Sequence, residues 1–519
     1  MKAKRSLFRL TIFLMLSSAQ LFAFYSESGQ FFAKPANHQE AQSRIANTIF
    51  AKSTSRPVRT EHYLSPAGYF IIHYDNSGFD AVPQKYTYND TIPDFVFKAA
   101  QYLDSSFLTL RDSLGFTPPP QDDPASPEID VYFRYDRTYY GVTNLETNMG
   151  NDSWTSYLTL STLLEDSTIF YTHGLEGLRV TCAHELFHIF QLGYIFRSQD
   201  RFYFEMSSVW FEEYMYPEVN DYHAYINSYS KNWNYPINSS TLDYNNVGFN
   251  LYLDKRFSKP GNNIIKGIWD RILYDNALNS IRSELEYQGV RFEKALRDWG
   301  SAQVLCGPYS AENFNYSFDD ASDLKTISFE NNADMIVDGL ETDINLSLDP
   351  GVFYYKLGDL PEQFFLFDMI LSEGTDANLI CLNGKNSKVL PFNDKALFID
   401  GSQYSDYILV IGLDADMATG SLAVSEFYEN QLSGVWPNPL YQENELSLAY
   451  VLLDDNQKTD IAIYDLSGKK VYSHSPADIY RKAGLQEIMI NPHNLASGIY
   501  IIAVQTDEGV IAEKFTFIK

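Results

Sequence analysis

The chain has 519 residues, of which 45% are hydrophobic and 20% charged. That is length for several folded domains and too apolar a composition for a disordered polymer. Acidic residues outnumber basic ones 67 to 39, giving a formal charge of -28, so most of the surface repels polyanions, which excludes nucleic-acid binding and adhesion to anionic membranes.

The first residues carry Lys2, Lys4, Arg5 and Arg9, then an apolar run over 10–16 and the small-residue ending Leu21-Phe22-Ala23. This pattern predicts a secretory signal peptide over 1–23, cleaved after Ala23. Its removal takes basic residues and no acidic ones, so the exported form is more acidic still. No later run is long enough to cross a bilayer, and the mature protein is expected to have no membrane span. Residues 24–58 are polar and mixed, with a helix expected at 38–50, and read as a leader or propeptide. Cys182, Cys306 and Cys381 are too few and too far apart for a disulfide framework.

From Tyr63 the chain alternates, predicting a strand over 69–74 and a turn at 75–78. Thr91 and Pro93 start a helix with Phe95, Ala99, Tyr102, Leu103, Leu110 and Leu114 on one broad face, and Gly115 stops it. A Pro-rich loop over 118–127 follows, in which Asp122, Asp123, Glu128 and Asp130 offer oxygen ligands for Ca2+ without EF-hand spacing. Two strand-like runs come next, 129–135 and 156–160, and helical periodicity then dominates from 174 to 300. Strands first and helices after predict an α+β domain over 59–310.

Within the helical half lies Thr181-Cys182-Ala183-His184-Glu185-Leu186-Phe187-His188-Ile189, with Gly193 as the natural cap of its helix. A spacing of four puts the imidazoles of His184 and His188 on one helix face, where both can meet one Zn2+ ion at about 2.0–2.1 Å. Glu185 lies beside them and is placed to act as general base toward a metal-bound water. This is the H-E-x-x-H geometry of metallopeptidases. A catalytic zinc takes a third protein ligand and keeps an open position. Downstream, a helix ended by Pro217 carries Glu205, Glu212 and Glu213, and Glu205 and Glu212 share a face two turns apart.

Short strands at near-regular spacing then predict a β-sandwich over 311–430, with strands at 326–329, 353–357, 364–371, 379–382, 396–399, 407–411 and 422–427. The last segment, 431–519, opens with Val435-Trp436-Pro437-Asn438-Pro439 and contains Ile463-Tyr464-Asp465-Leu466-Ser467-Gly468-Lys469. It closes with Leu495-Ala496-Ser497-Gly498-Ile499-Tyr500 and Lys514-Phe515-Thr516-Phe517. Each piece is a short alternating strand stopped by a turn, which predicts a small β-sandwich. Together and in this order they resemble the C-terminal sorting domain of the type IX secretion system of Bacteroidetes-like bacteria. That resemblance implies type IX machinery as a partner, and a secreted or cell-surface location reached through the periplasm and outer membrane.

The 59–300 region resembles the gluzincin metallopeptidases, whose third zinc ligand is a Glu on the next helix. Glu205-Met206-Ser207-Ser208 is similar to the thermolysin E-x-x-S element, and Glu205 with Glu212 to the E-G-x-A-x-x-x-E element of aminopeptidases. A closer resemblance is to uncharacterised secreted bacterial peptidases reading H-E-F-F-H-x-x-Q-x-G-Y and then E-x-x-A-x-W-x-E. The resemblance implies Glu205 as third ligand ahead of Glu212 and Glu213, and an oxyanion donor beyond the ligand helix, for which His223 and Tyr244 are candidates by position. Val209 stands where thermolysin-like enzymes have an Asp that orients a ligand His, and Val247-Gly248 where the related peptidases tend to read Tyr-Gly. The expected whole is a multidomain chain, an α+β zincin-like metallopeptidase domain followed by a β-sandwich and a sorting domain. Its expected function is an exported zinc-dependent peptidase acting on a peptide or protein substrate. The alternative is a catalytically inactive surface or secreted binding protein on the same scaffold.

Overall fold

The computed structural model describes residues 31–35, 56–233, 235–239, 244–310, 316–329, 342–347, 350–357, 364–392, 397–427, 430–442, 444–453, 457–474, 480–481, 484–492 and 494–519. The expected signal peptide and the helix at 38–50 lie outside them.

Six strands of the first unit form one sheet: β1 (Phe31–Pro35), β2 (Glu61–Leu64), β3 (Phe70–Tyr74), β4 (Ile129–Arg134), β5 (Tyr139–Gly150) and β6 (Ser153–Ser161). Their spatial order is β1-β5-β6-β4-β3-β2 among the described residues. β3, β4 and β6 run parallel, whereas β5 is antiparallel to both β6 and β1. The β5–β6 hairpin turns through Asn151 (φ 54) and Asp152 (φ 57), the left-handed pair that a tight hairpin of this hand requires.

Helix α1 (Asp94–Leu108) follows Pro93 and puts Asp94 in its first turn. The longest helix among the described residues, α2 (Gly174–Tyr194), is buried from Leu178 to Leu192 on almost every side, as expected of a helix packed between a sheet and other helices. It contacts β5, β6 and β1 on one flank and α1 and α3 (Arg201–Met215) on the other. Helices α4 (His223–Tyr229), α5 (Val247–Phe257), α6 (Ile264–Ile272), α7 (Ala277–Tyr287) and α8 (Phe292–Val304) complete the unit. Gly193, expected as a cap, is helical. A Cβ there would lie 2.9 Å from Pro119 Cα and 3.0 Å from Pro120 Cδ, so this glycine admits the Pro-rich loop against the helix instead.

The β-sandwich stacks two sheets. One has the order β11-β10-β13-β8 and the other β12-β9-β14-β7, from β7 (Thr342–Leu346), β8 (Gly351–Leu357), β9 (Phe364–Leu371), β10 (Thr375–Leu382), β11 (Lys388–Pro391), β12 (Leu397–Asp400), β13 (Asp406–Leu413) and β14 (Ala418–Phe427). The strand expected at 326–329 is irregular chain. Its backbone bonds go to neighbouring loops, Ser328 N–H to Ser230 O and Trp233 Nε1 to Ser328 O, while Ile327 is buried in the first core.

Helix α8 lies directly on β8, β10 and β13. Val352, Tyr354, Ile380, Leu382, Ile408 and Val410 therefore belong to the core of the α+β unit, while the opposite faces of the two sheets enclose the sandwich's own core. The C-terminal segment is sheet-rich and has a core of its own, including Leu446, Leu448, Tyr450, Ile463, Ile502 and Phe517. Among the described residues no helix is long and apolar enough to cross a membrane.

Candidate metal centre

His184, Glu185 and His188 on α2 and Glu205 on α3 have no exposed surface. Burying four ionisable groups is costly unless each finds a partner, and here they find one another. The two Nε2 atoms lie 3.1 Å apart. Glu205 Oε2 lies 3.4 Å from His184 Nε2 and 3.3 Å from His188 Nε2. Among the described residues this is the group of His, Cys, Asp or Glu side chains close enough to share a cation.

The outer ring atoms of the histidines are held from behind. His184 Nδ1 faces Glu212 Oε1 at 2.6 Å. His188 Nδ1 faces Gln191 Oε1 at 2.7 Å and Ser208 Oγ at 3.2 Å, and Gln191 Nε2 in turn donates to Phe204 O at 3.1 Å. In the neutral rings, acceptors at Nδ1 keep the proton there and leave the Nε2 lone pairs facing each other and the Glu205 carboxylate. Neither Glu205 oxygen receives a conventional hydrogen bond. Three lone-pair-bearing atoms at these separations match a tetrahedral cation, whose ligands at about 2.0–2.1 Å stand roughly 3.3 Å from one another. On the donor set, the buried carboxylate and the outer-shell bonds, the residues fit zinc.

Electrostatics agree. Burial pushes the His184 pKa down, but Glu205 and Glu212 outweigh it and hold the ring at about 9. Burial likewise pushes Glu205 up, and the two histidines hold it well below the carboxylate range. The site has a standing negative field that a proton or a cation satisfies.

Glu185 is met from the sheet side by β5 and β1. Burial raises its pKa. Thr143 Oγ1 on β5 donates to its Oε2 at 2.7 Å, and the backbone N–H of Lys34 on β1 donates to its Oε1 at 3.2 Å. Gly141 lets β5 come this close, since a Cβ there would sit 2.8 Å from Glu185 Cγ.

The other sequence candidates separate. Tyr244 stacks parallel to the His184 ring with centroids 5.8 Å apart. His223 is not brought to the cluster: its Nε2 faces Asp320 Oδ2 at 3.1 Å, beside Tyr222. Glu212 lies behind His184, supplying the orientation that Val209 cannot. Glu213 belongs with another acidic group, and burial with Asp320 and Asp319 nearby pushes it up to about 8. Of the acidic loop offered for calcium, Asp122 and Asp130 pair with Arg56, which also reaches Glu146 at 2.6 Å. Lys34, Gly141 and Thr143 were not legible as site residues, because strands remote in sequence bring them in. Gln191 was not named either, although a signal existed: three residues after His188 on a helix, it shares that face.

A family model described as the secretion system C-terminal sorting domain matches residues 434–519. The chain therefore carries a type IX sorting domain, which marks it for export to the cell surface or the medium and implies interaction with that machinery. No curated protein matches the chain. Among solved structures, it is similar to a β-glucuronidase from Parabacteroides merdae at 14% identity, covering 32% of this chain and 28% of that one with a TM-score of 0.19. A family 2 β-galacturonidase from Eisenbergiella tayi matches at 9%, covering 33% and 36%, TM-score 0.18. A β-glucuronidase from Bifidobacterium dentium matches at 13%, covering 34% and 38%, TM-score 0.15. The chain thus spans about a third of the length of the structures it matches. These are glycoside hydrolases and not peptidases, so the peptidase expectation is corrected and peptide hydrolysis is not carried forward. At these scores the likeness gives this chain no glycosidase activity either.

Proposed function

We propose that this exported chain is a zinc-dependent hydrolase with a zincin-like centre, in which His184, His188 and Glu205 hold one zinc ion. The observation that carries the reading is the convergence of two Nε2 atoms and a carboxylate oxygen within 3.4 Å, all buried, with neither carboxylate oxygen receiving a hydrogen bond of ordinary geometry. When bound, zinc supplies Lewis acidity that lowers the pKa of a water. Glu212, Gln191 and Ser208 keep the ligand rings in register through their Nδ1 atoms. Glu185, whose pKa burial raises, is the group that takes a proton at its carboxylate and returns it to a leaving group. Tyr244 walls the centre against His184.

The test is metal analysis of the full chain with a panel of ester, amide and glycoside probes. Zinc at about one per chain, chelator-sensitive turnover of a probe, and a Glu185→Gln variant that keeps the metal but loses turnover are the expected results. A wild-type chain that takes up no zinc sinks the reading.

A further inference from the structure

Strand β1 adds to the open edge of β5, in register from Phe31 opposite Asn144 to Lys34 opposite Gly141. Lys34 has no exposed surface, which a lysine almost never manages without partners. Its Nζ lies 2.9 Å from Asp221 Oδ2 and forms an ion pair with Glu212, 5.4 Å from the centre of the Tyr140 ring. Glu212 also takes the hydrogen bond of His184 Nδ1, so one carboxylate joins this lysine to a ligand histidine. The backbone N–H of Lys34 occupies Glu185 Oε1, and Thr143 occupies Oε2.

The arrangement is closed. Both oxygens of Glu185 are in use and the cluster has no surface, whereas a catalytic metal site keeps an open position. Among the elements that touch α2, β1 is the one held by a single ladder at a sheet edge. An edge strand can leave without dismantling the core behind it.

We infer that the groove beside β5, with its pocket of Glu212, Asp221 and Tyr140, is a binding site for an extended segment presenting a lysine, and that the chain's own Phe31–Pro35 fills it as an internal plug over the metal centre. The importance of the plug rests on the zinc reading; its test does not. Departure of β1 frees Glu185 Oε1 and uncovers His184 and His188.

The experiment compares the full metal-free chain with Lys34→Arg, Lys34→Met and Lys34→Glu variants. Carbethoxylation of individual histidines by diethylpyrocarbonate is followed by peptide mass spectrometry, with exposed His173 as the internal standard and thermal melting as the check on folding. Removing one partner of a buried pair strongly favours the open form. His184 and His188 should therefore react at least about tenfold faster in the Met and Glu variants and at the wild-type rate in the Arg variant. Rates in folded Met and Glu variants that match wild type overturn the plug. If the Glu variant does not fold, the Met variant, which adds no charge, decides alone. Absence of zinc uptake would remove the hydrolase reading and leave this comparison of rates intact.

Discussion

Gly141→Ala tests how tightly strand β5 holds the helix that bears the site. The added Cβ would stand 2.8 Å from Glu185 Cγ, 2.8 Å from Thr181 Cγ2 and 3.2 Å from Glu185 Oε1, against ordinary carbon contacts of about 3.5–4.0 Å. Neither neighbour is free to swing. Thr181 Oγ1 donates to Gly177 O at 2.6 Å, and the Glu185 carboxylate is fixed by Thr143 and by the Lys34 N–H. Strand and helix must therefore part by roughly 1 Å, an overpacking that costs about 2–3 kcal/mol. For a unit of this size that lowers the melting midpoint by about 4–10 °C. The assay is thermal melting together with hydrogen exchange of the α2 amides. Gly498→Ala is the control, because its Cβ would meet nothing nearer than 3.7 Å and should change stability by less than about 0.5 kcal/mol. A Gly141→Ala protein that melts within about a degree of wild type, with unchanged exchange in α2, refutes the close fit of β5, Thr181 and Glu185.

Glu212→Gln should keep the zinc stoichiometry but weaken affinity by about 10–100-fold, measured by competition with a chromophoric chelator. Unchanged affinity would show that Glu212 does not orient His184. Zinc at a hundred times its Kd should raise the stability of the folded chain by about 2.7 kcal/mol, and a His184→Ala, His188→Ala double variant should show no such rise in a melting assay. Glu213 is raised to about 8 by burial and neighbouring acids. Well below pH 4.5 it is protonated folded and unfolded alike; as pH rises from there toward 8 only the unfolded state ionises freely, so wild type loses stability across that window. Glu213→Gln should therefore be more stable than wild type at pH 9 by about 1 kcal/mol, once screening by solvent is allowed for, and nearly equal to it at pH 4; a pH-independent difference contradicts this. Deleting residues 434–519 should leave the protein in the periplasm, as fractionation would show.

The histidine pair was legible because helical spacing is a local property: four residues along α2 fix two rings on one face wherever the helix sits. Glu205 required more, since its approach depends on how α3 packs on α2, and sequence alone left Glu212 on the same face as a rival. The structure gives the two carboxylates different positions, one facing both Nε2 atoms and one behind the Nδ1 of His184. Strand β5 escaped notice because Gly141, Thr143 and Asn144 break its apolar alternation, and those departures are where the strand meets Glu185 and β1. The reverse happened at 326–329, where alternation reflects Ile327 packing into the first core from an irregular segment. The secretion address was readable in full, because it is carried by local turns and strands. The substrate was not, since specificity lies in the walls around a centre and not in its ligands.

The contact of α8 with the sandwich has a bearing on how this chain can be divided. At Gly412 a side chain would run into Glu293 O at 2.0 Å, and at Gly300 into Val352 Cγ1 at 2.5 Å, while Arg297 pairs with Asp376 across the same seam. Gly412 thus lets the sheet backbone meet the helix backbone, and Gly300 admits the side chains of Val352 and Val410 against the helix. A protein cut after residue 310 would bare that helix face, with Arg297, Gly300 and Ser301 on it, to water. The sheet of β8, β10 and β13 is thus a wall of the first unit as well as of the sandwich, and a cut between the two removes part of the first unit's core.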